Sequence, residues 1–146
     1  MCTRLAETVK FFAKTIINAS ALEVFRVVSD AALYPQFDPN CLKVYGRIEE
    51  GQSLIIHSRN GQKIYKPDVV SVVKDQKIIL KTSLPFALFQ NKWTFTIIPK
   101  DDFTTEFRRE DEGQGPLLYF LKKEIPDQTS IREFCLGLKR FIESRP

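Results

Sequence analysis

Apolar residues near the end of the chain fall at Ile131, Phe134, Cys135, Leu138, Phe141 and Ile142, spacings of three and four that put them all on one side of a helix. Arg132, Lys139, Arg140 and Glu143 take the opposite side. Ser130, with Glu133 three residues on, forms a capping box, so the pattern predicts an amphipathic helix from Ser130 to about Ser144. A second capping box, Ser20 with Glu23, opens a short helix that should present Leu22, Phe25 and Val28 to a core. Asp30 to Leu33 reads as one further helical turn, after which Pro35 and Pro39 predict extended backbone around Gln36, Phe37 and Asp38. Pro116 to Lys123 reads as a turn or two of helix, separated from the last helix by Pro126.

The rest alternates with period two. Strands are expected over Thr8 to Asn18, Leu42 to Ile48, Gln52 to Arg59, Tyr65 to Lys74, Lys77 to Thr82, Gln90 to Pro99 and Thr104 to Asp111. Glu49-Glu50-Gly51, Arg59-Asn60-Gly61, Asp75-Gln76 and Lys100-Asp101-Asp102 are too short for parallel crossovers and fit hairpins. The expectation is an α+β fold: a seven-stranded curled antiparallel sheet around a long C-terminal helix, with two short helices between strands 1 and 2. Residues 1–146 contain no linker or repeat and read as one domain.

A curled sheet has a concave face that one helix covers only in part, which predicts a cavity. On the strand from Gln90, Trp93, Phe95 and Ile97 share the apolar face. The same pleat turns Thr105, Phe107, Arg109 and Asp111 inward on the last strand and Glu106, Arg108 and Glu110 outward. Charges on an inward face require partners, so Arg109 and Asp111 either pair or border a wet, ligand-accessible space. Tyr34, Phe37, Trp93, Phe95, Phe107, Arg109, Tyr119, Phe134 and Leu138 are the candidate pocket wall, although core packing would equally explain each apolar one.

Composition narrows the chemistry. Twelve Phe and a single Trp supply apolar bulk with few hydrogen-bonding demands. The net charge of +4 comes from 22 basic and 18 acidic residues that are interleaved, which argues against nucleic acid as a partner. No run of 18 apolar residues and no signal-type leader is visible, so no integral membrane association is expected. Cys2, Cys41 and Cys135 show neither disulfide nor metal-site spacing and read as free thiols of a cytoplasmic protein, with no metal and no cofactor implied. His57 is the only histidine and shares a strand face with Ser53, Ile55 and Arg59, away from Leu54 and Ile56, a poor position for a catalytic base.

The segment from Ile17 to Asp30, followed by Tyr34-Pro35-Gln36-Phe37-Asp38-Pro39, resembles the opening of polyketide cyclase/dehydrase-like members of the START and pollen-allergen superfamily. Gly51, Pro67 with Val69, the run Thr105 to Gly115 and the closing Leu138 to Glu143 extend that likeness over nearly the whole chain. The resemblance implies the helix-grip fold and a cavity for a small hydrophobic molecule such as a lipid or polyketide. Phe37 stands where that branch usually has Trp, and Arg109 where many relatives have a cavity-facing His, a departure at the position where an acid or base role would carry over. A cyclase, dehydratase or isomerase acting in the same cavity is the alternative, with Arg109, Asp111 and Tyr119 as candidate proton-moving groups. Tyr34-Pro35-Gln36-Phe37 with Cys41, and Pro85-Phe86 leading to Trp93-Thr94-Phe95, is similar to coenzyme-Q-binding relatives. A third reading, a regulatory module with a vestigial pocket, rests on the basic pairs Lys122-Lys123 and Lys139-Arg140.

Overall fold

The computed structural model describes residues 8–59, 63–121 and 125–145; Cys2, the Asn60-Gly61 turn and Lys122-Lys123 lie outside them. In chain order the elements are β1 (Thr8–Ile17), α1 (Ala21–Val28), α2 (Tyr34–Phe37), β2 (Cys41–Tyr45), β3 (Ile55–Ser58), β4 (Ile64–Tyr65), β5 (Asp68–Val73), β6 (Lys77–Ser83), β7 (Gln90–Asp101), β8 (Thr104–Gln114), α3 (Leu118–Leu121) and α4 (Gln128–Glu143). A 3-10 turn at Ala31–Leu33, whose first turn is capped by the Asp30 side chain, joins α1 to α2.

Among the described residues all strand pairs are antiparallel, as the short hairpins require, but the eight strands form two sheets where one of seven was expected. The larger runs β1-β8-β7-β6-β5 and the smaller β2-β3-β4. Lys66-Pro67 causes the break: proline has no N–H to donate, so the expected strand from Tyr65 splits into β4 and β5. Residues 51–54 bridge the gap, with Gly51 N–H donating to Val69 O at 3.0 Å, Val69 N–H to Gln52 O at 2.8 Å and Leu54 N–H to Pro67 O at 2.9 Å. The curl is therefore continuous in backbone hydrogen bonding although two ladders build it.

Into the concave side pack Val24, Val27 and Val28 of α1, Tyr34 and Phe37 of α2, and Ile131, Phe134, Cys135, Leu138 and Ile142 of α4. Trp93, Phe95, Ile97 and Phe107 meet them from the sheet, on the face the period-two pattern predicts. On α1 the buried stripe differs from expectation: Leu22 is exposed and Phe25 only half-buried, because the helix turns its valines inward. The Ser20 cap is present, its hydroxyl accepting from Glu23 N–H at 3.2 Å.

α4 starts two residues before Ser130. Its cap is Asp127, whose carboxylate accepts from Ser130 N–H at 2.8 Å; Ser130 serves as the third helical residue instead. α2 also departs from expectation, since Pro35 sits in the first turn of a helix, where a missing N–H breaks no bond, and only Asp38 is extended. Gly137 of α4 lies directly against the Phe37 carbonyl, a contact that leaves no room for a side chain.

β1 is an edge strand, and α4 covers that edge with side chains. The Gln128 amide accepts from Phe12 N–H at 3.1 Å and donates to Phe12 O at 2.6 Å, as a neighbouring strand would. Lys139 donates to Ile16 O and Glu143 accepts from Asn18 N–H. These bonds fix the long helix along the sheet and occupy backbone groups that would otherwise invite strand pairing. No described helix is long and apolar enough to cross a membrane.

Candidate functional site

Between the small sheet, the middle of β7 and β8, and the first turns of α4 lies a cavity of about 480 Å³. Period-two alternation delivers Trp93 and Phe95 from β7, Arg109 from β8 and Ile56 and Ser58 from β3 to its wall. Helical spacing delivers Ser130 and Phe134 from α4, and α2 with the residues after it contributes Tyr34, Asp38, Asn40 and Cys41. The volume falls within the several hundred cubic ångströms usual for small-molecule sites.

Of the sequence candidates, Tyr34, Trp93, Phe95, Arg109 and Phe134 stand together on this wall. Phe37, Phe107 and Leu138 pack in the core beneath it. Ring contacts connect the two groups: Phe134 lies 5.2 Å from Phe37, 5.3 Å from Phe95 and 5.5 Å from Tyr34, centroid to centroid. Asp111 is fully buried behind Arg109 and does not line the cavity. Tyr119 is 72% exposed and meets Phe120 edge-on at the surface, because the single turn of α3 turns Leu118 inward instead. His57 lies outside the wall, half-buried, with its ring edge against Tyr45.

Arg109 is the charged centre of the site. Its Nε and Nη2 donate to the two carboxylate oxygens of Asp111 at 2.9 and 3.0 Å, a bidentate pair inside the protein. The guanidinium also sits 4.7 Å from the ring centre of Phe134, 5.0 Å from Trp93 and 5.4 Å from Phe95. Burial alone would favour the neutral guanidine, but the charge and hydrogen bonds of Asp111 outweigh it and push the Arg109 pKa higher still. Burial pushes the Asp111 carboxyl up as well, with the guanidinium pulling against it. Glu106, expected on the solvated face, is buried under the side chains of Lys100 and Arg108, and its Arg108 hydrogen bond holds the carboxyl below the usual range.

Other groups were not among the sequence candidates. Asp38 faces the cavity, and burial raises its carboxyl pKa against the opposing pull of the Asn40 N–H, Arg109 and Arg59. The pair of prolines around it, Pro35 and Pro39, is the local signal that this Asp sits on a fixed turn. Arg59 places its Nε on Pro39 O and Nη2 on Pro35 O and Cys41 O, tying the small sheet to the α2 segment. Burial pushes the thiols of Cys41 and Cys135 up to about 12, so both are protonated and unreactive at neutral pH. The Tyr34 hydroxyl donates to Val28 O at 2.5 Å, and burial holds its phenol well above the usual range, so its proton is committed. Among the described residues no three His, Cys, Asp or Glu side chains stand close enough to share a metal ion.

A family model described as "Polyketide cyclase / dehydrase and lipid transport" matches residues 17–130. No protein of curated function matches the chain. Among solved structures, truncated norcoclaurine synthase from Thalictrum flavum superposes with a TM-score of 0.71 at 13% identity, covering 100% of both chains. A START superfamily protein from Mycobacterium smegmatis superposes with a TM-score of 0.67 at 19% identity, covering 92% of this chain and 97% of its own. A Mesorhizobium loti protein gives 0.74 at 17% identity, covering 96% and 99%. At these identities the likeness is one of fold, the helix-grip arrangement of curled sheet and C-terminal helix.

Proposed function

We propose that this chain, which belongs to the polyketide cyclase / dehydrase and lipid transport family, holds a small hydrophobic molecule in the cavity between the sheet and α4. The observation that carries the reading is the cavity itself, about 480 Å³ with Trp93, Phe95, Phe134 and Ile56 on its wall. Apolar surface of that kind gains roughly 25 cal/mol per Å² when a ligand removes it from water. Native mass spectrometry of the purified protein tests the proposal: a co-purified apolar compound, or saturable uptake of an added one, is expected. A protein that takes up no hydrophobic compound would refute it.

A cyclase, dehydratase or isomerase activity in the same cavity is the second reading, and Asp38 is the observation that favours it. A carboxyl with a burial-raised pKa, facing the same space as a fixed guanidinium, is suited to proton transfer. Under this reading Asp38→Asn abolishes turnover of a substrate while sparing its binding; undiminished turnover removes Asp38 from the chemistry. The buried free thiols of Cys41 and Cys135 are in keeping with a reducing compartment, and a cytoplasmic location forms part of the proposal.

A further inference from the structure

We propose that one end of the larger sheet is a docking surface for an anionic lipid bilayer, and that the side chains of Phe86, Tyr119 and Phe120 enter the bilayer interface. Two loops make this end. Leu84 to Gln90 joins β6 to β7, and Gly113 to Leu121 leads from the end of β8 through α3. Neither segment contains a charged residue, in a chain that is 27% charged. The Leu117 N–H donates to Leu88 O at 3.0 Å and Gly115 lies against the same carbonyl, so the two loops form one tip. On it Phe86 is 94% exposed and Phe120 75%, with Tyr119, Leu84 and Leu88 exposed beside them.

Single apolar side chains on a surface need no explanation, but a contiguous group marks an interaction site. Phe103, at the opposite end of β7 and β8, supplies the contrast: it is as exposed as Phe120, yet its hairpin neighbours are Asp101 and Asp102. The backbone at Phe86 and Ala87 is left-handed, with φ of 61° and 55°, a conformation that a bulky residue keeps only where its surroundings impose it. The Phe86 ring thereby projects from the protein. A projecting, uncharged tip suits a bilayer interface, which takes up apolar groups without needing a matching pocket.

Charge behind the tip selects an anionic surface. Thr8, Gln114, Gln90 and Ser83 stand opposite one another across four strands and form a neutral row. Two residues farther back, about 7 Å along the strands, the same convex face carries Lys10, Glu112, Lys92, Lys81 and Asp68 in register. Exposed Lys66 precedes β5 at this end, which makes four lysines against two carboxylates. Glu112 reaches Lys10 at 3.9 Å and Lys92 at 4.0 Å, but Lys92 also stands directly opposite Lys81, a like-charge pair that costs the sheet stability. Interfacial anchors sink about 5–10 Å, so a tip at that depth brings the lysine row level with lipid phosphates, which relieve the repulsion.

Docking of this kind is independent of what the cavity holds. Leu118 and Ile125 pack together under the tip, and Ile125 also lines the cavity, so a docked protein turns that side of the cavity toward the bilayer.

Co-sedimentation with vesicles tests the proposal. Binding is expected to vesicles of phosphatidylcholine mixed with phosphatidylserine, and at least tenfold weaker binding to phosphatidylcholine alone. Phe86→Asn, a residue suited to left-handed backbone, and Phe120→Gln should each weaken binding about tenfold. The double variant K81Q/K92Q should weaken it by about tenfold, with a smaller loss at high salt. Phe103→Asn should leave it unchanged. In the F86W/W93F protein, emission should shift to the blue on adding the mixed vesicles and be quenched by lipids brominated on the acyl chain. Equal binding to both vesicle types overturns the anionic class. No binding, an unshifted emission, or a loss no greater in Phe86→Asn than in Phe103→Asn overturns the docking surface and leaves the hydrophobic-ligand reading standing. A dimer in buffer that Phe86→Asn dissociates would give the tip to a second copy of the chain and overturn the bilayer likewise.

Discussion

Gly137→Ala is the smallest change that tests how α4 is seated. A Cβ built on Gly137 stands 1.9 Å from the Phe37 carbonyl oxygen and 3.0 Å from its carbon, with Pro39 Cδ at 3.7 Å. The oxygen is roughly 1.5 Å inside ordinary van der Waals contact, and it belongs to backbone that no rotamer change can clear. Two effects oppose each other. Alanine in a helix interior gains about 1 kcal/mol over glycine. Overpacking of this severity costs about 1–3 kcal/mol, at the upper end here because α2 and α4 must separate as rigid pieces. The clash wins, and a net loss of about 1–2 kcal/mol follows, which for a chain of this length lowers Tm by roughly 3–6 °C. Separation of the two helices also spreads the Tyr34, Phe37 and Phe134 rings, whose centroids lie 5.2–5.5 Å apart, so affinity for hydrophobic probes falls too. Thermal unfolding followed by circular dichroism at 222 nm reads the stability change. A variant as stable as the parent or more so would show that α2 and α4 do not touch as described.

Asp127→Ala removes the α4 cap and should cost about 1 kcal/mol at pH 7 in urea unfolding. The Ser130 backbone N–H holds the Asp127 carboxyl below its usual range, so its stabilisation is complete above the unfolded pKa of about 3.9 and disappears as pH falls through the lower folded value. The gap between parent and variant should therefore close below about pH 4, and a gap constant down to pH 2 would contradict the assignment. Gln128→Ala uncovers the β1 edge at Phe12 and should lower stability by on the order of 1 kcal/mol; an unshifted urea midpoint would show that the amide does not clamp the strand. In a Cys2→Ser background at pH 8, Cys41 and Cys135 should resist iodoacetamide for the time in which urea-unfolded protein is fully labelled, since burial pushes both thiols up to about 12. Labelling of either at the unfolded rate would contradict their burial.

Period-two and helical spacing were legible because burial itself imposes them. Trp93, Phe95, Phe107, Arg109 and Asp111 all point inward as alternation requires, and Ile131, Phe134, Cys135, Leu138 and Ile142 face the core from one helical stripe. Two capping candidates lie three residues apart ahead of α4, and the Ser130-Glu133 pattern masks Asp127, the cap that follows Pro126 directly. Pro67 was visible, yet its interruption of a ladder depends on which backbone groups face a neighbour, and that is settled only when the strands pair. The cavity's polar half was less legible still. Asp38, Ser58, Arg59 and Ser130 come from separate segments, and only the closing of the small sheet over α2 and α4 brings them to one wall. Tyr119 points outward because a turn as short as α3 fixes no burial stripe, and Leu118 takes the inward position.

Trp93 is the chain's single tryptophan and stands on the cavity wall, so energy transfer from it to the uncharged fluorophore N-phenyl-1-naphthylamine reports occupancy of that space directly. One-to-one, saturable transfer is expected, weakened at least tenfold by Ser58→Phe, which fills the cavity from β3 at a position outside the hydrophobic core and gives up the Lys63 N–H bond to the Ser58 hydroxyl. Transfer that never saturates, or that Ser58→Phe leaves unchanged, would mean that the space enclosed by the sheet and α4 is not where this protein holds a ligand.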